Sequence, residues 1–453
     1  MLQAQSHFQF YYQDHGSHLE ITEVYGWAPS SVYTLTFPAW INGKPVTHIG
    51  RDVLIWLHPK PSEIIIPEGV THIGNGAFIQ IFDPFSVVLP STLQHIGISA
   101  FSSRGLTQIN LPSGLKSIGN GAFADTPITE ITFPNGLESI GAGAFSGTRL
   151  TQVVLPANLE EVGGGAFSFI PTLTAATILG AINQLGSGIF AFCTELETVT
   201  LGEGLTSIST SMFEECRNLT SVSLPSSLRR IGVRAFDYCL QLQTITLPEG
   251  LEVIERWAFR YVDISNLTIP STVTTIGDYA FGSQSLQSVH FLGDAPSMRY
   301  GAFANLNTFS YVSITYPLGA QGFTMPEWYG YQTLQLGGIH EWMHNRGIDI
   351  TTSVLTRAAG SGHSLLATYA FGLDSENASA GLPQMEMTPS TLNLSFLGNT
   401  PGVNYVASYS DDLIHWHTDL VTVSAPDGEG RMTATVPMSN SARFMRVEVA
   451  LSE

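Results

Sequence analysis

Apolar residues along most of this chain fall at fixed places in a short cycle. The block Ile-Gly-x-x-Ala-Phe appears as Ile73-Gly74 with Ala77-Phe78, Ile96-Gly97 with Ala100-Phe101, Ile118-Gly119 with Ala122-Phe123, and Ile140-Gly141 with Ala144-Phe145. Later copies end at Phe167, Phe190, Phe213, Phe236, Phe259, Phe281 and Phe303, and every Phe-to-Phe step is 22 or 23 residues. Leu54, 24 residues before Phe78, reads as a degenerate first copy. Each unit also carries a segment such as 106–111, 219–224 or 242–247, with apolar residues at every second or third position and proline directly after. That spacing predicts a short strand with one buried face. Proline ends the strand because it has no N–H for a ladder. The glycine after isoleucine reads as a bend that a Cβ would obstruct. A unit this short cannot bury its own apolar face, so the repeat implies stacking of units into columns of Leu, Ile and Phe.

The pattern therefore predicts a mainly β chain. A solenoid of about 12 repeats of 22–23 residues is expected over 46–310, between an N-terminal β cap over 1–45 and a C-terminal cap over 311–337. Phe8, Phe10, Tyr11 and Tyr12 precede a turn signal at 14–17, and Tyr316, Phe323, Trp328, Tyr329 and Tyr331 supply the aromatic surface of the second cap. A helical and linker segment follows over 338–390, with helical character at 339–346 and 365–374 and polar, proline-bearing sequence over 375–390. Residues 391–453 alternate in short strands at 392–397, 403–408, 420–423, 432–436 and 444–449. Turn signals at Gly398-Asn399, Asp411-Asp412 and Asp427-Gly428 separate them, as a small β-sandwich requires.

Composition narrows the function. Only 12% of residues are charged, about half the usual share, while 43% are apolar. Acidic residues outnumber basic ones 37 to 18, a formal charge of −19, and Lys44, Lys60 and Lys116 are the only lysines. Such a chain lacks the basic face of a nucleic-acid reader and is too apolar for disorder. Residues 162–194 carry no charge, but Gly163, Gly164, Gly165, Pro171, Asn183 and Gln184 lie within them, in phase with the repeat, so no membrane span is read there. The first residues show neither a charged n-region nor an apolar h-region, and Gln3-Ala4 fits the remnant of a cleavage site. The C-terminal end, at Glu453, shows no basic or hydrophobic anchor.

The consensus Leu-Thr-x-Ile-x-Leu-Pro-x-x-Leu-x-x-Ile-Gly-x-x-Ala-Phe resembles the BspA-like class of leucine-rich repeat over roughly 20–335. Asn42-Gly43-Lys44-Pro45-Val46-Thr47-His48-Ile49-Gly50 resembles the segment that opens many such arrays. The resemblance implies a secreted or surface-attached bacterial protein that binds other proteins, host cells or extracellular matrix, with no catalytic residues and no cofactor. The tail resembles a C-terminal module of many secreted bacterial proteins through Tyr369-Ala370-Phe371-Gly372-Leu373-Asp374, Tyr409–Trp416 and Arg443–Val447. Its role as spacer, attachment element or second binding domain stays open.

Four features carry candidate chemistry. The strand position between the last two apolar residues should point outward. It reads Asn110, Thr132, Val154, Thr177, Thr200, Ser223, Thr246, Thr268, His290. Thr132, Thr177, Thr200, Ser223, Thr246 and Thr268 thus form a flat, uncharged binding row suited to a repetitive ligand such as a polysaccharide, although threonine is also simply a good strand residue. Cys193, Cys216 and Cys239 follow their phenylalanines at one offset and should stack. Small buried packing suits them better than a metal site or a disulfide between neighbouring rungs, because other units carry Ile81, Thr126, Ile170 or Val262 there and a linear column does not converge tetrahedrally. His340-Glu341-Trp342-Met343-His344 matches H-E-x-x-H, a zinc-protease pattern with Glu341 as base, but Ile350 stands at the third-ligand position and the glycines at 337, 338 and 347 leave a short helix. Trp416 is read as a core anchor before a ligand-stacking residue. The expected protein is a non-enzymatic extracellular binding or adhesion protein whose partner is a protein, glycan or cell surface. Self-association into filaments or a surface layer is the alternative, and a zinc metalloprotease the second.

Overall fold

The computed structural model describes residues 8–28, 32–304, 312–317, 319–324, 327–329 and 331–336 of the repeat region. Of the C-terminal part it describes 384–387, 391–397, 403–410, 417–418, 420–427, 431–437 and 444–451. No helix occurs among the described residues, and none is therefore long and apolar enough to cross a membrane. The helical segments expected at 339–346 and 365–374, His340, Glu341, His344 and Trp416 lie outside them.

Each repeat is one turn of a mainly β solenoid, tied to its neighbours by three rows of backbone hydrogen bonds. The first row is built from two-residue strands ending in the repeat isoleucine. His72–Ile73, His95–Ile96, Ser117–Ile118, Ser139–Ile140, Glu161–Val162 and Gln184–Leu185 pair in parallel, same position to same position. A second run links Ser207–Ile208, Arg230–Ile231, Val253–Ile254, Thr275–Ile276 and Ser297–Met298. The second row lies in the Ala-Phe turn, where Phe78 N–H donates to Ala100 O at 2.9 Å and Phe123 N–H to Ala144 O at 2.8 Å. The third consists of longer parallel strands: Thr34–Thr36, Glu63–Ile65 and Ser86–Val88 in one sheet, and Gln152–Leu155, Ala175–Ile178, Thr198–Leu201 and Ser221–Ser223 in another. A further sheet begins with Asn266–Ile269, Ser288–Phe291 and Ser313–Pro317. Residues 106–111 and 242–247, expected as strands, form none. Leu106, Ile109, Leu242 and Leu247 are buried all the same, because the stacked columns and not the ladder hold them.

The core is the stack itself. The repeat phenylalanines from Phe101 to Phe303 lie ring on ring with centroids 5.0–5.8 Å apart. All are essentially inaccessible to solvent. Burying one such ring is worth roughly 2–3 kcal/mol. The glycine after isoleucine has a packing reason rather than a bend: a Cβ on Gly119 would sit 2.6 Å from the carbonyl carbon of Gly97 in the previous rung.

Aromatic residues pack at both ends of the array. The antiparallel hairpin Phe8–Asp14 and Leu19–Gly26 pairs through its second strand with Lys44–Ile49, and Phe10 packs on buried Phe37 at 5.7 Å. At the other end Tyr316 stacks on Phe323 at 4.2 Å, and Trp328 meets Phe291 edge-on at 5.6 Å. The C-terminal unit holds an antiparallel sheet of Gln384–Met387, Thr391–Leu397, Arg431–Pro437 and Thr422–Val423, and a separate pair of Val403–Ser410 with Phe444–Leu451. Phe396 and Tyr405 bring the two together at 5.6 Å. Gln384–Met387 lies in the stretch read as linker, and it pairs antiparallel with Thr391–Leu397.

Candidate functional site

The expected hydroxyl row exists as a surface. Thr132, Thr200, Ser223, Thr246 and Thr268 are exposed and Thr177 is half-buried. Parallel register sets Val154 beside Thr177, Thr177 beside Thr200 and Thr200 beside Ser223. Thr132 and Thr246 sit in rungs without a ladder, and Thr268 belongs to the following sheet. No hydrogen bond joins the six side chains to another described residue, so their hydroxyls face solvent with donors and acceptors unused. The row stops at Thr268. His290, in register beside it, is buried and its Nδ1 lies 2.9 Å from Thr315 Oγ1, because the strand Ser313–Pro317 brings a buried threonine against it.

One depression interrupts this face. It has a volume of about 370 Å³ and lies between residues 220–224 of one rung and 244–248 of the next, with Thr220, Ser221, Ser223, Thr244 and Thr246 on its walls. It opens where the ladder ends, Ser221–Ser223 having Thr198–Leu201 as partner on one side and no strand in the following rung. Two of the six row residues, Ser223 and Thr246, therefore border a hollow whose lining is mostly polar.

The cysteine column is structural. Cys193, Cys216 and Cys239 are free and fully buried, and each S–H donates to the carbonyl of a repeat phenylalanine: Phe167 at 3.1 Å, Phe190 at 3.2 Å and Phe213 at 3.3 Å. Thr126 and Thr148 cap their own turns similarly, at 2.7 and 2.8 Å from Phe123 O and Phe145 O. Burial pushes the Cys193 thiol up to about 12 and the other two well above their ordinary value, so all three are held as neutral thiols near neutral pH. Among the described residues no group of three or more His, Cys, Asp or Glu side chains could hold a metal ion.

Sequence reasoning missed a histidine column. His48, His72 and His95 occupy one register position of the short-strand row, with rings 4.3 and 4.5 Å apart; His18 stacks below His48 at 4.9 Å and His15 on His18 at 5.1 Å. Thr47 and Thr71 hydroxyls lie 2.7 and 2.8 Å from His48 Nδ1 and His72 Nδ1, and Ser117 ends the column 2.8 Å from His95 Nδ1. Partial burial, then the neighbouring imidazoles, lowers His72 to about 4, and His48 moves the same way for the same leading reason. The signal was present: His-Ile-Gly recurs at 48, 72 and 95.

A stacked array of short rungs, tied by three rows of backbone hydrogen bonds around a Leu/Ile/Phe core, defines a leucine-rich-repeat solenoid. Residues 47–174, 116–240 and 208–321 match the BspA type leucine rich repeat region in six copies, and the chain belongs to that family. No curated protein matches it. Among solved structures it is similar to a leucine-rich repeat protein from Bacteroides ovatus, 20% identical, covering 74% of this chain and 76% of that one, with a TM-score of 0.45. It is also similar to the pneumococcal vaccine antigen PcpA, 20% identical over 69% of this chain and 92% of that one, TM-score 0.44. A leucine rich cell surface protein of Faecalibacterium prausnitzii is 22% identical over 65% and 95%, TM-score 0.35.

Proposed function

We propose that the protein is a non-enzymatic extracellular binding protein, secreted or held at a bacterial surface, and that its hydroxyl face receives an uncharged glycan. The observation that carries the reading is the hollow between 220–224 and 244–248, bordered by Ser221, Ser223, Thr244 and Thr246, whose hydroxyls no described residue satisfies, while the Thr220 hydroxyl donates to Glu197 O. Neutral sugars present rows of hydroxyls, and each hydroxyl–hydroxyl contact exchanges water without the desolvation cost of a charge. One rung per turn supplies a repeating spacing along the strand face of about 4.8 Å, close to the advance of an extended sugar chain. Both the short side chains and the low charge of this face suit a ligand lying flat on it. The aromatic packing at the two ends of the array supports a closed solenoid over a filament built by end-to-end stacking.

Replacing Thr200, Thr246 and Thr268 together with glutamate tests it on an array of neutral glycans. The reading expects loss of binding with an unchanged thermal midpoint, since all three side chains are exposed. Equal binding by the triple variant, or no neutral glycan bound by the parent protein, removes it.

A further inference from the structure

A different edge of the solenoid departs from the repeat in a way the fold does not require. Two residues before each repeat phenylalanine the backbone is left-handed, and six rungs place glycine there: Gly76, Gly121, Gly143, Gly165, Gly188 and Gly301. Ser99 and Ser211 occupy it in two others, and three consecutive rungs hold the bulky Arg234, Trp257 and Tyr279, with φ of +55°, +61° and +50°. Tyr238 and Tyr261, two residues after their phenylalanines, are left-handed as well, at +61° and +60°, as are Gln80, Asp125, Phe169, Phe192 and Glu215 at that place in other rungs. A bulky residue in this conformation costs on the order of 1–2 kcal/mol that glycine does not.

These side chains form one cluster. Guanidinium carbons of Arg256, Arg234 and Arg260 lie 3.4, 4.5 and 4.7 Å from the centroid of Trp257. Arg260 also reaches Tyr261 and Tyr238, whose rings are 4.5 Å apart. Three like charges on one indole repel unless something neutralises them. Asp237, fully buried, takes Arg260 through two bonds of 3.0 and 2.6 Å, and Glu214 stands 3.7 Å from Arg234. Arg256 is exposed and pairs with no carboxylate among the described residues. Arg234 Nε is the one buried side-chain nitrogen or oxygen among them without a hydrogen-bond partner. In a chain of formal charge −19, this edge keeps guanidinium donors unspent.

We infer that the Arg234–Trp257–Arg256 edge is a second binding site, separate from the hydroxyl face, and that it takes a carboxylated polysaccharide. The guanidinium of Arg256, held flat by the indole, presents a fork that matches a carboxylate bidentately. The hydroxyls of Tyr238 and Tyr261, whose rings lie against Arg260, supply partners for the sugar ring. An acidic peptide fits less well. Its main chain would need an open ladder, and here the backbone N–H groups are spent from rung to rung: Trp257 to Asp278 O at 3.0 Å, Tyr261 to Gly282 O at 2.8 Å and Tyr238 to Arg260 O at 3.0 Å.

Titration with polygalacturonate, a neutral galactan and poly-glutamate tests the site on the full chain. The parent protein should bind polygalacturonate, with affinity falling as salt rises, and show no comparable binding of the galactan. Arg256→Gln and Trp257→Gly should each weaken polygalacturonate by roughly tenfold or more. Arg256→Gln alters an exposed side chain and Trp257→Gly restores the residue most rungs use, so neither variant should lower the parent's thermal midpoint. Absence of polygalacturonate binding, equal binding by both variants, or poly-glutamate bound as tightly as polygalacturonate would overturn the inference.

Discussion

The rungs around Phe123 and Phe145 and those around Phe236 and Phe259 share one core and carry different edges. In both pairs the phenylalanine rings stack at 5.0–5.1 Å and are shut off from solvent. Outside that core the first pair follows the backbone's demands: Gly121 and Gly143 occupy the left-handed position, and nothing lies within 4 Å of where a Cβ on Gly143 would be. The second pair puts Arg234 and Trp257 at the same position and surrounds them with arginine and tyrosine. Stacking fixes what faces inward and leaves the outward positions free, so chemistry accumulates where a rung departs from the pattern.

The largest expected effect concerns what the two regions share. Phe123→Ala and Phe259→Ala should each cost about 4 kcal/mol in chemical denaturation, because each leaves a ring-sized void in a filled column. A marked inequality would mean that the core is not equivalent along the array. Next comes the ion pair found only in the second region. Arg260→Met strands the fully buried carboxylate of Asp237, whose pKa burial already raises, and should cost about 3 kcal/mol. Adding Asp237→Leu should recover most of the loss, and failure to do so would show that packing and not charge holds Arg260. Gly143→Trp transplants the departure into the regular region, and with open space around it the cost should be only the backbone's, about 1 kcal/mol. The smallest effect belongs to the histidine column. Between its ordinary value of 6.5 and about 4, His72 takes up a proton in the unfolded chain but not in the folded one, so stability falls as pH drops through that window. The thermal midpoint should decline from neutral pH towards about pH 4.5, and less steeply in His72→Leu; parallel curves would remove His72 from the account.

The core was legible in the sequence because a period of 22–23 residues assigns every Leu, Ile and Phe a column before any coordinate is known. The hydroxyl row was legible for the same reason as far as Thr268, and failed at His290, where a residue 25 positions away closes over it. Residues 242–247 keep the burial of a strand without its ladder, and periodicity registers burial alone. The hollow beside them was invisible for that reason. The arginine–tryptophan edge escaped because its signal is what stands in place of glycine, and Arg234 and Trp257 look ordinary until φ is known. Glycine after isoleucine was read as a bend, whereas Gly119 answers to a neighbouring rung's backbone 2.6 Å away.

Which face meets the ligand is most directly measured by hydrogen exchange on the protein with and without a neutral polysaccharide retained from the glycan array. The account predicts slowed exchange at 220–224 and 244–248, where the ladder is open and the hydroxyls of Ser221, Ser223, Thr244 and Thr246 are unused. Protection confined to the short-strand row around His48–His95, or to the C-terminal unit beyond residue 384, would contradict it.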